Sequence, residues 1–584
     1  MLTKNENINP TEYKDNPLKL FEKLFQIWQQ EIRDNDKKTT KIIIELNNQY
    51  GWDLCEIAIQ AMDEGFRCFD IHHVLGDAIP SLNLNVKSTI EYLRKLHNSM
   101  QGDLVSGIQY SPIANLTGKQ PQFARELLST LIDSGEPFVV GYISTIFENL
   151  AKTGIEDIHN ELLTLISHNK NPVVQGVIIA LGNLKYDAKV NKELVKKTFA
   201  AYDELMERKS DEIDRAIAIS LGVLHYLGVE SRSRLMILAK KGSHNVSYEV
   251  SRFLFIQYKN INDDKWFEEI LMTLSETRCE YKGIIDNIDF ILYGLLENKN
   301  NYNLVERFFT AWILNSNYNP NEHKIDSLFG STLPKMTEIN TFFDTLITKY
   351  LNQDNSKFHR IASDLIEYSN LYKKRPLNLD QAIIQSLSIE DILYICRKIL
   401  GYIYNVNTIC SLIYSVLEAK PKDIKVKELA HDIFCQYIGF DYPGTTLEFL
   451  KSKLSISDLS HDLVCSLKEI VSVIESQQKM LKSLPRLKEL TIPNKYVYQV
   501  SLEENKKANK YMEEAQKKSI VRQLFTNIPL KYGRGWFSYR DGKYCEPSKL
   551  SSISHSVEVP KSEIVNPVSS SIQRFRFRIA KRGE

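Results

Sequence analysis

An apolar triplet, most often led by glutamate, returns along the middle of the chain: Glu126-Leu127-Leu128, Glu161-Leu162-Leu163, Glu193-Leu194-Val195, Arg234-Leu235-Met236 and Glu269-Ile270-Leu271. The successive steps are 35, 32, 41 and 35 residues. A step of that size is the length of one helix-turn-helix unit. A unit so short cannot bury its apolar stripe alone, so consecutive units must stack. The chain is therefore constrained to a mainly α fold that exposes long surfaces and lacks a deep catalytic pocket.

Composition sets few further limits. The 584 residues, 43% apolar and 25% charged, can bury a large core. The net charge of +1 gives no general attraction to nucleic acid or to a membrane, so any such attraction must come from local clustering. Eight cysteines, at 55, 68, 279, 396, 410, 435, 465 and 545, form no Cys-x-x-Cys pair. They read as reduced thiols acting as small hydrophobes, which favours a reducing compartment. Met1–Pro10 has no apolar signal core, and no uncharged run approaches the roughly 20 residues of a membrane span. A soluble, cytoplasmic protein is expected, and its richness in Lys, Asn and Ile is of the kind associated with AT-rich bacterial genomes.

Four regions follow from the patterning. Residues 1–121 form an N-terminal helical region, whose first helix carries Phe21, Leu24, Phe25, Trp28 and Ile32 on one side. His72, His73, Gly76 and Pro80 mark an irregular stretch within it. Residues 122–300 hold the repeats. There, Asn171-Pro172 opens a second helix, Asn as the cap and Pro at a first-turn position. Val173, Val177, Ala180, Leu181 and Leu184 recur as Ile213, Ile217, Ser220, Leu221 and Leu224, and Gly182 matches Gly222, where a small residue lets neighbouring helices approach. Residues 301–500 continue the helical array. Ser388 caps one helix, a second runs through Ile409, Leu412, Ile413 and Val416, and a longer one starts at Ser457 and ends before Pro485.

The segments Asn171-Pro172-Val173-Val174 through Ala180-Leu181-Gly182-Asn183-Leu184, and Ile213 through Leu221-Gly222-Val223-Leu224, resemble the HEAT/armadillo class of α-solenoids. The resemblance covers about residues 122–300 and implies a HEAT-like helical-pair solenoid. The tetratricopeptide signature is absent.

Residues 501–584 change character. An exposed helix is expected over 503–524, then a small basic β-containing module. Asp541-Gly542 between aromatic flanks signals a hairpin, Val557 and Val559 read as strand, and Arg574-Phe575-Arg576-Phe577-Arg578-Ile579 alternates with the period of a strand. From 525 to 584 there are 11 Lys/Arg against 5 Asp/Glu. Arg534, Trp536, Tyr539, Arg540, Arg574, Arg576, Arg578, Lys581 and Arg582 are therefore the candidate contacts for a protein partner or a nucleic acid.

No catalytic, metal or cofactor motif stands out. Gly533-x-Gly535 lacks the third glycine and the helix of a dinucleotide fingerprint. His72-His73 beside Asp70 has no His-Glu-x-x-His spacing, and Ser554-His555-Ser556 lacks a spatial third member. The function that emerges is a non-catalytic helical scaffold or adaptor for a protein partner, of the kind found as accessory subunits in bacterial, including antiviral-defence, complexes. The alternatives are nucleic-acid binding through the basic aromatic tail and a regulatory subunit of an enzyme. Charge on Glu126, Glu161, Glu193 and Glu269 offers a possible acidic ladder for a basic partner.

Overall fold

The computed structural model describes residues 13, 16–34, 37–99, 106–187, 189–261, 265–372, 376–485, 494–517 and, in the tail, 535–536, 539–540, 543–544, 548–549, 558 and 560–583. The chain divides into a unit of residues 1–339 and a unit of residues 340–584.

In the first unit the apolar periodicity becomes stacked helical pairs. The first helices of the pairs are Pro121–Ser134, Ile155–Leu165, Lys192–Met206, Val229–Lys241 and Lys265–Thr273. The second helices are Val139–Leu150, Asn171–Asn183, Asp211–Val223, His244–Ile261 and Lys282–Leu295. Each second helix packs on the next in series, so the middle ones bury residues towards two neighbours at once. The expected shared face is all buried: Val173, Val177, Ala180, Leu181 and Leu184, and 40 residues later Ile213, Ile217, Ser220, Leu221 and Leu224. Gly182 is what permits this spacing. A Cβ placed there would lie 2.7 Å from the Cα of Ser220.

Polar links bridge neighbouring pairs. Arg94 reaches Glu136 at 2.8 Å, Arg125 grips both oxygens of Glu161 at 2.7 Å, Arg215 meets Glu249 at 2.8 Å and Arg234 meets Asp203 at 2.7 Å. The exposed pairs contribute little stability each, while the Glu249 carboxylate is buried and depends on Arg215; all four fix which surface faces which. They also alter the supposed acidic ladder: Glu161 is neutralised by Arg125, Glu193 by Lys196 at 2.9 Å and Glu269 faces Lys265 at 3.8 Å.

Two details near the N-terminus differ from the sequence pattern. His72 and His73 lie in a helix, Cys68–Leu75, started by Arg67 pairing with Asp70 at 2.6 Å. The face that Pro17–Asp34 buries is Leu20, Phe21, Leu24 and Ile27, while Phe25 and Trp28 stay half-buried, stacked 5.5 Å apart.

The second unit opens with Asn340–Leu351 and Ser356–Tyr372. Ile389–Tyr402 follows, with the Ser388 hydroxyl accepting from the Asp391 N–H at 3.1 Å as expected. Val406–Ala419 buries Ile409, Leu412, Ile413 and Val416. Ile424–Asp432 then loosens into a π-helical turn, Ile433–Ile438, before Pro443–Leu454 and His461–Ser483. The last of these starts after Ser460 rather than at Ser457, because the Ser460 hydroxyl accepts from the Leu463 N–H.

The tail departs most from expectation. Asn494–Lys517 is helical, starting earlier than the expected 503, and 518–524 lies outside the described residues. Among the described residues of the tail, four two-residue strands form two short antiparallel pairs, one joining Tyr539–Arg540 to Lys543–Tyr544; Asp541-Gly542, expected as the hairpin turn, lies outside the described residues. This is far less than a β-containing module. Val557 and Val559 lie outside the described residues. Arg574 to Ile579, expected as a strand, belongs to a helix, Pro567–Ile579. Its start carries an Asn-Pro signal: the Asn566 side chain accepts from the Ser569 N–H at 3.0 Å, and Pro567 occupies the first turn. In Asn171-Pro172 only the proline behaves as expected, because Asn171 is already the first helical residue and makes no capping bond. Six alternating residues are too few to outweigh the Asn566 cap and the packing described next.

Candidate interaction surfaces

Helix Pro567–Ile579 docks on helix Ile389–Tyr402 through helix ends. Its last carbonyls have no partner within the helix, as in any α-helix. Lys398 supplies one. Its ammonium donates to the carbonyls of Arg578 and Ala580, both at 2.7 Å, and approaches that of Phe577 at 3.5 Å. Lys398 is only 2% exposed, and the ring of Tyr394 lies 4.6 Å from its charge. A buried ammonium needs such compensation, and a helix C-terminus, with its partial negative charge, provides it.

The other end uses carboxylates. Asp441 accepts from the N–H of Ser562 at 2.8 Å and from its hydroxyl at 2.7 Å, so it caps the short helix Lys561–Val565. Glu558 reaches in the opposite direction. It accepts from the N–H groups of Gly444 and Thr445, at 2.8 and 2.9 Å, at the start of Pro443–Leu454. The tail and its seat thus cap one another. Between these anchors Phe577 meets Tyr437 edge-on at 5.5 Å, on the π-helical turn, beside a cleft of about 80 Å³. Gly401 allows the approach, since a Cβ there would lie 3.0 Å from the Arg578 nitrogen.

Three of the candidate basic contacts are engaged in this dock. Arg574 lies 4.4 Å over Tyr404 and 3.7 Å from Glu563. Arg578 donates to the Gly401 carbonyl at 2.7 Å and to the Tyr404 hydroxyl. Arg582 pairs with Asp391, donates to Asn352 and lies 4.9 Å from the Tyr394 ring. Arg576 and Lys581 are exposed. Trp536, Tyr539 and Arg540 fall in the two-residue strands, and Arg534 lies outside the described residues. The structure therefore brings Arg574, Arg578 and Arg582 together on the seat. Lys398, Asp441 and Glu558, which hold the dock, carry no local sequence signal. Only Asn566-Pro567 could have revealed the helix.

A second surface lies on the stacked helices of the first unit. Tyr248 and Phe255, two turns apart on His244–Ile261, neighbour Phe290 and Tyr293 on Lys282–Leu295. Phe255 and Phe290 are 5.7 Å apart, Gly283 leaves room for the Tyr248 ring, and Lys335 lies 5.8 Å from Tyr293. All four aromatic side chains are exposed, Phe290 by half of its surface. Sequence reasoning missed them, because an aromatic at helical spacing ordinarily reads as core.

Several of the remaining reactive groups are insulated. Burial pushes the thiols of Cys55, Cys396 and Cys410 up to about 12, which makes them poor nucleophiles. Burial lowers His72 below its ordinary range, and the Ile108 backbone only partly offsets this. Among the described residues no group of three or more His, Cys, Asp or Glu could hold a metal ion, and no helix is long and apolar enough to cross a membrane.

Serial packing of paired helices decides the architecture. The chain is an α-solenoid repeat protein. No family model matches it, and no curated protein does. Solved structures similar to it include an engineered protein of the Northeast Structural Genomics Consortium, 13% identical, covering 72% of this chain and 98% of its own, with a TM-score of 0.19. Importin beta is 11% identical over 80% of this chain and 71% of its own, with a TM-score of 0.26. SYS-1 is 12% identical over 80% of this chain and 99% of its own, with a TM-score of 0.20.

Proposed function

We propose that this chain is a non-catalytic helical scaffold that binds a protein partner along the aromatic strip of its first unit. The observation that carries this is the exposure of Tyr248, Phe255, Phe290 and Tyr293 together on two consecutive stacked helices. Water gains nothing from four clustered aromatic side chains. Contiguous apolar surface of this kind marks interaction sites, and aromatic residues dominate their energetics. An accessory or regulatory subunit, with an enzyme as the bound protein, is the specific form we favour, including one in a bacterial defence complex. Nucleic-acid binding is the weaker alternative, because Arg574, Arg578 and Arg582 already face carbonyls, carboxylates and tyrosines of their own unit.

The test is a photo-crosslinking amino acid at Phe255, compared with one at the exposed but remote Val190, in cells that express the chain natively. A defined protein captured at 255 and not at 190, and released by Phe290→Asp, is the expected result. Burying one such aromatic contributes about 1.5–3 kcal/mol, so the substitution should weaken binding at least tenfold. Equal capture at both positions, or indifference to Phe290→Asp, refutes the strip as the binding surface.

A further inference from the structure

The docked tail helix is turned the wrong way round for a helix that merely covers its own protein. At about 100° per residue, Val568, Ile572, Phe575 and Ile579 fall within about 60° of one another, while Ser570, Arg574 and Phe577 lie on the opposite side. A surface helix ordinarily buries its apolar stripe and leaves charge outside. Here Arg574 and Arg578 are turned to the seat, to Tyr404 and the Gly401 carbonyl. Val568, Ile572, Phe575 and Ile579 are left 67, 49, 57 and 58% exposed. Ile564 and Val565, just upstream, are also exposed. The anchors that impose this orientation are specific: the buried Lys398 on the last carbonyls and Asp441 on Ser562. Lys398 holds the helix by its C-terminal end, Asp441 holds the short helix just before it, and the apolar stripe is left unused.

We propose that Pro567–Ile579 is a pre-ordered docking helix, and that the stripe Val568, Ile572, Phe575 and Ile579 inserts into an apolar groove with an acidic rim on a partner protein. The spacing i, i+4, i+7, i+11 is how an amphipathic helix reads a groove. From Val568 to Ile579 the stripe runs about 16 Å, three turns, which is the scale of such grooves. The acidic rim follows from charge. Helix Pro567–Ile579 carries Arg574, Arg576 and Arg578 and no carboxylate; the seat engages Arg574 and Arg578, so Arg576 is the charge this helix offers a partner. Arg576 lies exposed on the flank of the stripe. A second copy would oppose like charges, which disfavours self-pairing. A membrane would need the arginines beside the stripe to reach headgroups, and Arg574 and Arg578 point into the seat instead. A free helix of 13 residues is marginal in water. The seat orders it before the partner arrives, which removes that entropy cost from binding.

This surface is independent of the aromatic strip, and so is its test. The full chain is expressed natively with a photo-crosslinking amino acid at Phe575, which faces out, or at Ser570, which faces the seat. Crosslinked residues are identified by mass spectrometry. The expected result is that the 575 probe joins apolar residues of another protein with Asp or Glu alongside, that Ile572→Asp abolishes the product, and that the 570 probe joins only its own chain. Amide exchange of the Ile572→Asp variant checks that the helix stays docked. Crosslinks from 575 to a second copy, to lipid or to its own chain alone, or no product, overturn the proposal. So does a product that survives Ile572→Asp.

Discussion

Replacing Lys398 by methionine keeps most of the side chain's length and removes its charge. The ammonium makes two hydrogen bonds of 2.7 Å to the carbonyls that end helix Pro567–Ile579. Hydrogen bonds to a charged group contribute about 1.5–3 kcal/mol each. Attraction to the helix end is part of the same energy and is not added again. Docking also strips water from the ammonium, so the low end of the range applies. Two bonds at that end give about 3 kcal/mol, or roughly a hundredfold in the docking equilibrium. Amide exchange of 567–579 in the full chain reads this directly. The variant should exchange on the order of a hundredfold faster there, with Val406–Ala419 unchanged. Unchanged protection of 567–579 would mean that Asp441, Glu558 and the arginines suffice to hold the tail. Equal loss of protection in both helices would mean that Lys398 supports the core of the unit rather than the dock. Either result refutes the capping account.

Other expected outcomes follow from the same geometry. Gly401→Ala should loosen the tail in the exchange experiment without lowering the melting temperature of the second unit, because the new methyl meets Arg578 across the dock while the helix itself gains up to about 1 kcal/mol. Gly182→Val should destabilise the first unit by about 1–3 kcal/mol in denaturant titration, since its Cβ would meet the Cα of Ser220 at 2.7 Å as well as its side chain, so turning the hydroxyl aside does not relieve the clash; no loss would show that the helices can part freely. His159 and His359 are each held at about 4, against an ordinary 6.5, by burial first and then by Lys197 and Lys398 respectively. The unfolded chain then binds more protons between pH 6.5 and 4, so stability is full above pH 6.5 and falls as the pH drops through that window. Thermal melts from pH 7 to 4 should show this, and the His159→Gln, His359→Gln double variant should have a shallower slope; an unchanged slope sinks the explanation.

The helical pairs of 122–300 were legible because burial imposes a period on the sequence itself. Val173 to Leu184 and Ile213 to Leu224 repeat since each second helix meets the same environment on either side. Start signals are equally local: the Ser388 cap acts within three residues, and Pro172 marks a first turn even though Asn171, expected as the cap, is itself the first helical residue. The strand expected at 574–579 shows where period alone misleads, for the six-residue alternation competed with an Asn-Pro start a few residues upstream. The four exposed aromatics were invisible for a related reason. Their spacing is that of a core stripe, and only the stacking of one helix on the next reveals how much of them stays exposed.

What the linear order of residues determined was the helix content, the repeat and most helix starts, because those depend on neighbours within a few turns. Tertiary structure alone decided that Lys398 meets carbonyls about 180 residues away. It also decided that Asp441 and Glu558 cap helices they do not belong to, and that the tail helix turns its charges in and its apolar stripe out. A buried ammonium and a free helix end stabilise each other wherever in the chain they arise, and no local pattern records which two will meet.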